Sequence, residues 1–182
     1  MRQLVVWLFL IIVTGCSSVI DVKSVNIATN LTWQVQPASA MAQSIEQTVL
    51  LTATHSGNRH KMLVSTQSKP DLFAMVAMTT QGVPLFELKL DKFGDITKKT
   101  YVPLPISAEY ILSDMQIINL SIEALRANLA GNNVVVETSF NDKKRTIRVE
   151  GSKVIDIEYK HNMTHFIHHQ RDYELLIEVL RQ

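Results

Sequence analysis

Four imidazoles crowd one short stretch, His161, His165, His168 and His169. The i, i+4 and i, i+3 spacings would gather them on one side of a helix, which is what a zinc site requires. The flanks read as strands instead: Ile155, Ile157 and Tyr159 alternate before the run, and Leu175, Ile177 and Val179 after it. Asn162-Met163-Thr164 fits a turn. The expectation is therefore a solvated loop or strand face with no metal. A zinc site and a pH-sensitive surface stand as alternatives, since imidazole titrates near pH 6.5. No other catalytic pattern is present. There is no Gly-x-Ser-x-Gly elbow and no glycine-rich phosphate loop. Asp156 and Glu158 share a strand face and read as solvated. No catalytic residue and no cofactor are expected, so the chain is read as a non-enzyme.

The second reactive group is Cys16. Leu4 to Val13 is an unbroken apolar run behind Arg2, and Val13-Thr14-Gly15-Cys16 closes it. A basic end, about ten apolar residues and a small-residue site describe a secretory leader. The run is shorter than the roughly 20 residues a spanning helix needs. The closing tetrapeptide resembles the bacterial lipoprotein box, with Val and Thr at positions where Leu and Ala are commonest. That resemblance implies a leader over 1–15 and an acylated Cys16 as first mature residue. An ordinary leader with a stray cysteine, or a short uncleaved anchor, are the alternatives. Ser17 follows where an Asp would retain the protein at the inner membrane in the enterobacterial sorting pattern. The expected location is thus the periplasmic face of the outer membrane, with the membrane as partner through the lipid.

Composition agrees with one packed domain. Cys16 is the only cysteine, so no disulfide can form within the chain. The formal net charge is +1 with both signs interspersed, which argues against nucleic acid as partner because phosphate binding needs a basic patch. The apolar fraction of 46% is raised by the leader, yet the mature chain from Cys16 onward still carries enough apolar residues to fold.

Residues 16–45 read as a lipidated start and a small polar tether. Trp33 is its exception and is expected to pack near the domain edge, and Ala38 to Ser44 to form a helical turn or two. From Glu46 a β-meander begins. Its strands are separated by Ser56-Gly57-Asn58, Lys69-Pro70-Asp71, Gln81-Gly82 and Lys92-Phe93-Gly94-Asp95. Leu72 to Met78 is apolar on both faces, so it is either covered twice or lines a cavity. After Pro103 and Pro105 the period changes. Ser107 is the expected cap of a helix to about Gln116, and Ser121 of a second helix stopped at Gly131. Four strands come next, Val134–Phe140, Thr146–Glu150, Lys153–Lys160 and Tyr173–Leu180. The fold class is α+β: a single curved antiparallel sheet, an open half-barrel, with a helical pair covering its concave face over 46–182.

The stretches Leu85-Phe86-Glu87-Leu88, Leu112-Ser113-Asp114-Met115-Gln116-Ile117, Leu125-Arg126-Ala127-Asn128-Leu129 and Tyr173-Glu174-Leu175-Leu176-Ile177 succeed one another as in a family of outer-membrane lipoproteins that accompany aryl-polyene biosynthesis genes. That family resembles the LolA/LolB lipoprotein carriers, open barrels with helices as lid. The chain departs from it at Asn119-Leu120, where many members carry Trp-Pro. The resemblance implies an apolar groove, for which Leu72, Met75, Ala77, Met78, Phe86 and Met115 are the candidates, methionine being adaptable to varied apolar ligands. Ordinary core packing is the competing reading of each. The Thr80–Pro84 turn matches the position where such receptors present an apolar residue to the membrane, here Val83. The expected function is binding of an acyl chain or lipid-like molecule for transfer to the outer membrane. The alternative is a structural or assembly lipoprotein that docks a protein partner through its sheet edge.

Overall fold

The computed structural model describes residues 17–20, 24–41, 45–103, 106–131, 133–139, 141 and 143–180. The leader and Cys16 lie outside the described residues. The chain forms β1 (Ser17–Ile20), β2 (Ser24–Ala28), β3 (Leu31–Gln34), a 3-10 turn (Ala38–Met41), β4 (Ile45–His55), β5 (Asn58–Lys69), β6 (Leu72–Met78), β7 (Pro84–Asp91) and β8 (Ile96–Thr100). Helices α1 (Ala108–Asn119) and α2 (Ile122–Asn128) come next, then β9 (Leu129–Gly131), β10 (Val134–Thr138), β11 (Lys144–Val149), β12 (Ser152–Lys160), β13 (Met163–His168) and β14 (Tyr173–Val179).

Eleven strands make one open antiparallel sheet in the order β1-β8-β7-β6-β5-β4-β14-β13-β12-β11-β10, so the last strand of the chain joins the two meanders by pairing with β4. Local chemistry sets the meander's corners. Ser56 and Gly57 both take positive φ, which matches the right-handed strand twist in a two-residue hairpin. At the β7–β8 corner the Asp91 carboxylate accepts from the Phe93 and Asp95 backbone N–H groups at 2.8 and 2.9 Å, an Asx turn. Strand β6 alternates despite its uniform apolarity: Phe73, Met75 and Ala77 are buried, and Leu72, Ala74, Val76 and Met78 are half-buried on the opposite face.

Residues 24–41 correct the tether reading. Strand β3 pairs with β2 on one side and β9 on the other in a second, three-stranded sheet, and Val25, Ile27, Leu31 and Trp33 are core residues. Trp33 is fully buried and not at an edge. Its polar neighbours give the stretch the look of a linker, yet strict alternation in so short a segment is enough to build a half-buried ribbon.

Two further boundaries move. Helix α2 ends at Asn128, and Leu129 and Gly131 belong to β9. Gly131 is not a helix stop. It lets β9 pass β3 closely, for a Cβ there would lie 2.0 Å from the Asn30 carbonyl oxygen. Ser121 caps α2 through the Ala124 N–H at 3.2 Å, as expected, whereas Ser107 caps α1 with no side-chain hydrogen bond.

The apolar interior forms two clusters. One joins Ile27, Leu31 and Trp33 to Ile117, Ile147, Ile155 and Phe166. The other sets Ala108 and Leu112 of α1 against Phe73, Met75, Ala77, Phe86, Leu88 and Leu90 of β6 and β7. Helix α1 therefore spans both.

Candidate functional site

The residues expected to line a groove divide between two faces. Met75, Ala77 and Phe86 are buried in the cluster beneath the first half of α1, and Met115 packs half-buried at its rim. Leu72 and Met78 are on the other face of β6 and cannot share a groove with them. The reason is the period of two in a strand: alternate residues of β6 must point to opposite faces. Met41 and Met62 also border the cluster, so methionine is concentrated around it.

Val83 sits on the β6–β7 turn and is 56% exposed. It is one of a group. The Tyr101 N–H donates to the Leu85 carbonyl, which brings Tyr101 and Val102, 43% and 38% exposed, to the same end of the sheet. The pairing of Ser17 with Lys99 brings Ser17 to this end as well.

On its other flank α1 carries a polar cluster to which the sequence pattern assigns no role. Asp114 is 4% exposed. Its Oδ2 accepts a short hydrogen bond from the Tyr173 hydroxyl, and its Oδ1 has no hydrogen-bond partner among the described residues. Burial pushes the carboxyl up to about 7, against the opposing pull of the Tyr173 hydroxyl and the Arg171 charge. Tyr173 is raised in turn by burial, and then by the charge of Asp114. Arg171 stacks on Tyr110 with its guanidinium 3.6 Å from the ring centre, and donates to the Asn26 carbonyl at 2.6 Å. A signal for Asp114 is present in the sequence. Ile111, Ile117 and Ile118 lie three or four residues away, so a lone acid occupies an apolar helix face.

The histidines are dispersed. His161 takes a turn conformation with positive φ, and Met163 and Thr164, read as part of a turn, open strand β13, so His165 and His168 are on a strand, one of the two settings expected. His165 pairs with Glu174 at 3.1 Å, and His169 with Asp156 at 3.0 Å. His168 is completely buried, contrary to the solvated reading, with its ring tilted against that of Tyr173 at 5.2 Å between centres. Its Nε2 faces the Ile27 carbonyl at 2.9 Å. A carbonyl can only accept, so Nε2 carries the proton, and Nδ1 is a bare lone pair without a partner among the described residues. Burial holds the imidazole down to about 4, and the Arg171 charge adds to this. Among the described residues no group of three or more metal-ligating side chains assembles.

Asp156 is also less solvated than expected, its side chain being 13% exposed. Burial alone would raise it, but hydrogen bonds from Thr146, His169 and Lys153 outweigh that and bring it to about 2. A cleft of about 210 Å³ opens between the β4–β5 and β13–β14 turns, with Thr54, Ser56, His168, Tyr173 and Glu174 in its wall.

The molecule is thus an open antiparallel sheet with two helices, one of which bridges an apolar, methionine-bordered cluster and a buried polar one. The chain belongs to the family described as protein of unknown function (DUF3261), which matches residues 46–181. No curated protein matches it. The matched region leaves out β2 and β3, although both are packed into the core.

Proposed function

We propose that this is a lipid-anchored, non-enzymatic binding protein of the outer membrane that holds an acyl chain or similar apolar molecule and passes it to the membrane. The observation that carries the reading is the apolar cluster of β6 and β7. It is roofed by the first turns of α1 and bordered by Met41, Met62 and Met115, in a sheet that remains open. We read α1 as the cover of the concave face. Methionine side chains can swing aside for a chain that takes their place. Burying apolar surface contributes about 25 cal/mol per Å², enough to hold a long chain without a charged anchor.

The membrane reading is supported by the sheet end where Val83, Tyr101 and Val102 are exposed beside the emerging residue 17. An acyl anchor at Cys16 would hold that end against the bilayer, each buried methylene contributing about 0.8 kcal/mol. The reading is tested by titrating unlipidated full chain (Cys16→Ala) with a fluorescent fatty acid. Saturable one-to-one uptake is expected. A wild-type-like fold that takes up no probe overturns it.

A second reading, docking of a protein partner at the sheet edge, is favoured by Val135, which is 50% exposed on the terminal strand β10. Arg126 already caps the Val136 carbonyl of this strand at 3.1 Å, which blunts the edge.

A further inference from the structure

The Asp114–Tyr173 contact ties α1 to β14, and among the described residues no second donor reaches the carboxyl. We infer that it is a proton-operated latch: protonated Asp114 keeps α1 seated on the sheet, and its ionisation releases the helix. A neutral carboxyl has no charge to solvate, and its contact with the Tyr173 hydroxyl can run in either direction because each group then has both a proton and a lone pair. A carboxylate at the same depth has one hydrogen bond and an oxygen with no donor, which a buried charge does not tolerate.

The charged and titratable groups around it offer no adequate replacement. From β14 comes Tyr173, itself buried, and from β13 His168, held neutral by its depth. Arg171, from the turn between them, attracts the charge and reaches the Tyr173 hydroxyl, but it gives the carboxyl no hydrogen bond, being engaged by the Asn26 carbonyl and the Tyr110 ring of the same helix. Strand β2 supplies the carboxyl with no side-chain donor, and its Asn26 and Ile27 carbonyls are acceptors already engaged by Arg171 and His168. The remaining way to solvate Asp114 is for α1 to lift. The cleft between the turns has Tyr173, the residue that holds Asp114, in its wall.

The helix that would lift also carries Leu112 and Ala108 onto the β6–β7 cluster. Release would uncover that cluster as pH rises through the titration of Asp114, which burial places at about 7. The latch rests on the carrier reading only for what the opening admits.

The test is hydrogen exchange measured by mass spectrometry on the full chain from pH 5.5 to 8.5. Protection of the α1 peptide (108–119) is normalised to β5 and β6 peptides and corrected for intrinsic rates. Wild type should lose at least tenfold of its α1 protection across the range, and Asp114→Asn should vary less than twofold. Tyr173→Phe, which removes the hydroxyl donor, should move the midpoint to higher pH. An α1 protection that is constant in wild type, a loss that persists in Asp114→Asn, or an unmoved midpoint in Tyr173→Phe overturns the latch. Uptake of a fluorescent fatty acid is read in parallel. A latch that opens without any uptake refutes the carrier reading and leaves the latch standing.

Discussion

Gln116 Oε1 accepts the indole N–H of Trp33 at 2.9 Å, and the two residues are both fully buried. The same oxygen accepts the Gln36 N–H at 3.0 Å, while Gln116 Nε2 donates to the Gln36 carbonyl at 2.6 Å. One side chain on α1 thus fastens the segment that leads from β3 toward β4. A buried amide satisfied on both its ends fixes how helix and strand meet while α1 is seated. Gln116→Leu keeps the volume and leaves three polar groups stranded, so it should cost at least about 1–3 kcal/mol in chemical denaturation.

The same relationship predicts that residues 46–182 will not fold alone. Removing β2 and β3 strips Ile27, Leu31 and Trp33 from the cluster that also contains Ile117, Ile155 and Phe166. The shortened chain should lose cooperative thermal unfolding and bind a hydrophobic dye. A sharp transition near that of the full chain would show that the first ribbon is dispensable.

Asp114 and His168 act in opposite directions on stability. Asp114 titrates near 3.8 unfolded and about 7 folded, so the fold holds the proton longer and its contribution to stability falls as pH rises between them. His168 titrates near 6.5 unfolded and about 4 folded, so its contribution rises with pH over that window. Each slope approaches about 1.4 kcal/mol per pH unit. They largely cancel between pH 4 and 6.5, and these two groups together should leave the wild-type melting temperature nearly flat there. Asp114→Asn should unmask the histidine and give melting that rises with pH. His168→Gln should unmask the acid and give melting that falls. Like signs in the two variants would refute the assignment.

Gly131→Ala tests the close crossing of β9 over the β2–β3 turn. The new methyl would meet backbone at 2.0 Å, where no rotamer change gives relief. A loss of about 1–3 kcal/mol is expected from overpacking. Gly57→Ala, with open space around it, should be milder and act only through its φ of 77°.

The meander is legible in the sequence because its corners carry their own chemistry, as at Ser56-Gly57 and Asp91. The helical pair is legible from its apolar period. Strand β13 is not, because Asn162-Met163-Thr164 reads as a turn and the closely spaced histidines break the apolar alternation around Phe166 until β12 and β14 flank them. The acid on the apolar face of α1 is legible, but its partner is not, for a related reason. Nothing local announces that Asp114 meets Tyr173 across 59 residues; only the fold brings them together.

The groove is best tested on β6, whose two faces give an internal control. Ala77 is fully buried toward α1, whereas Ala74 is half-buried on the opposite face between Gln67 and Lys89. Ala74→Trp should keep melting and fatty-acid uptake near wild type. Ala77→Trp fills the space a ligand would use, so it should abolish uptake and cost about 1–3 kcal/mol. Met75→Ala separates a ligand site from an ordinary core. Truncation there should cost about 2–5 kcal/mol through the cavity it leaves. An acyl chain that enters this cluster can fill the cavity, so the probe should raise the melting temperature of Met75→Ala by more than that of wild type. Equal or absent shifts in the two proteins would mean that β6 and α1 enclose a plain core, and the exposed edge at Val135 would become the better place to look for function.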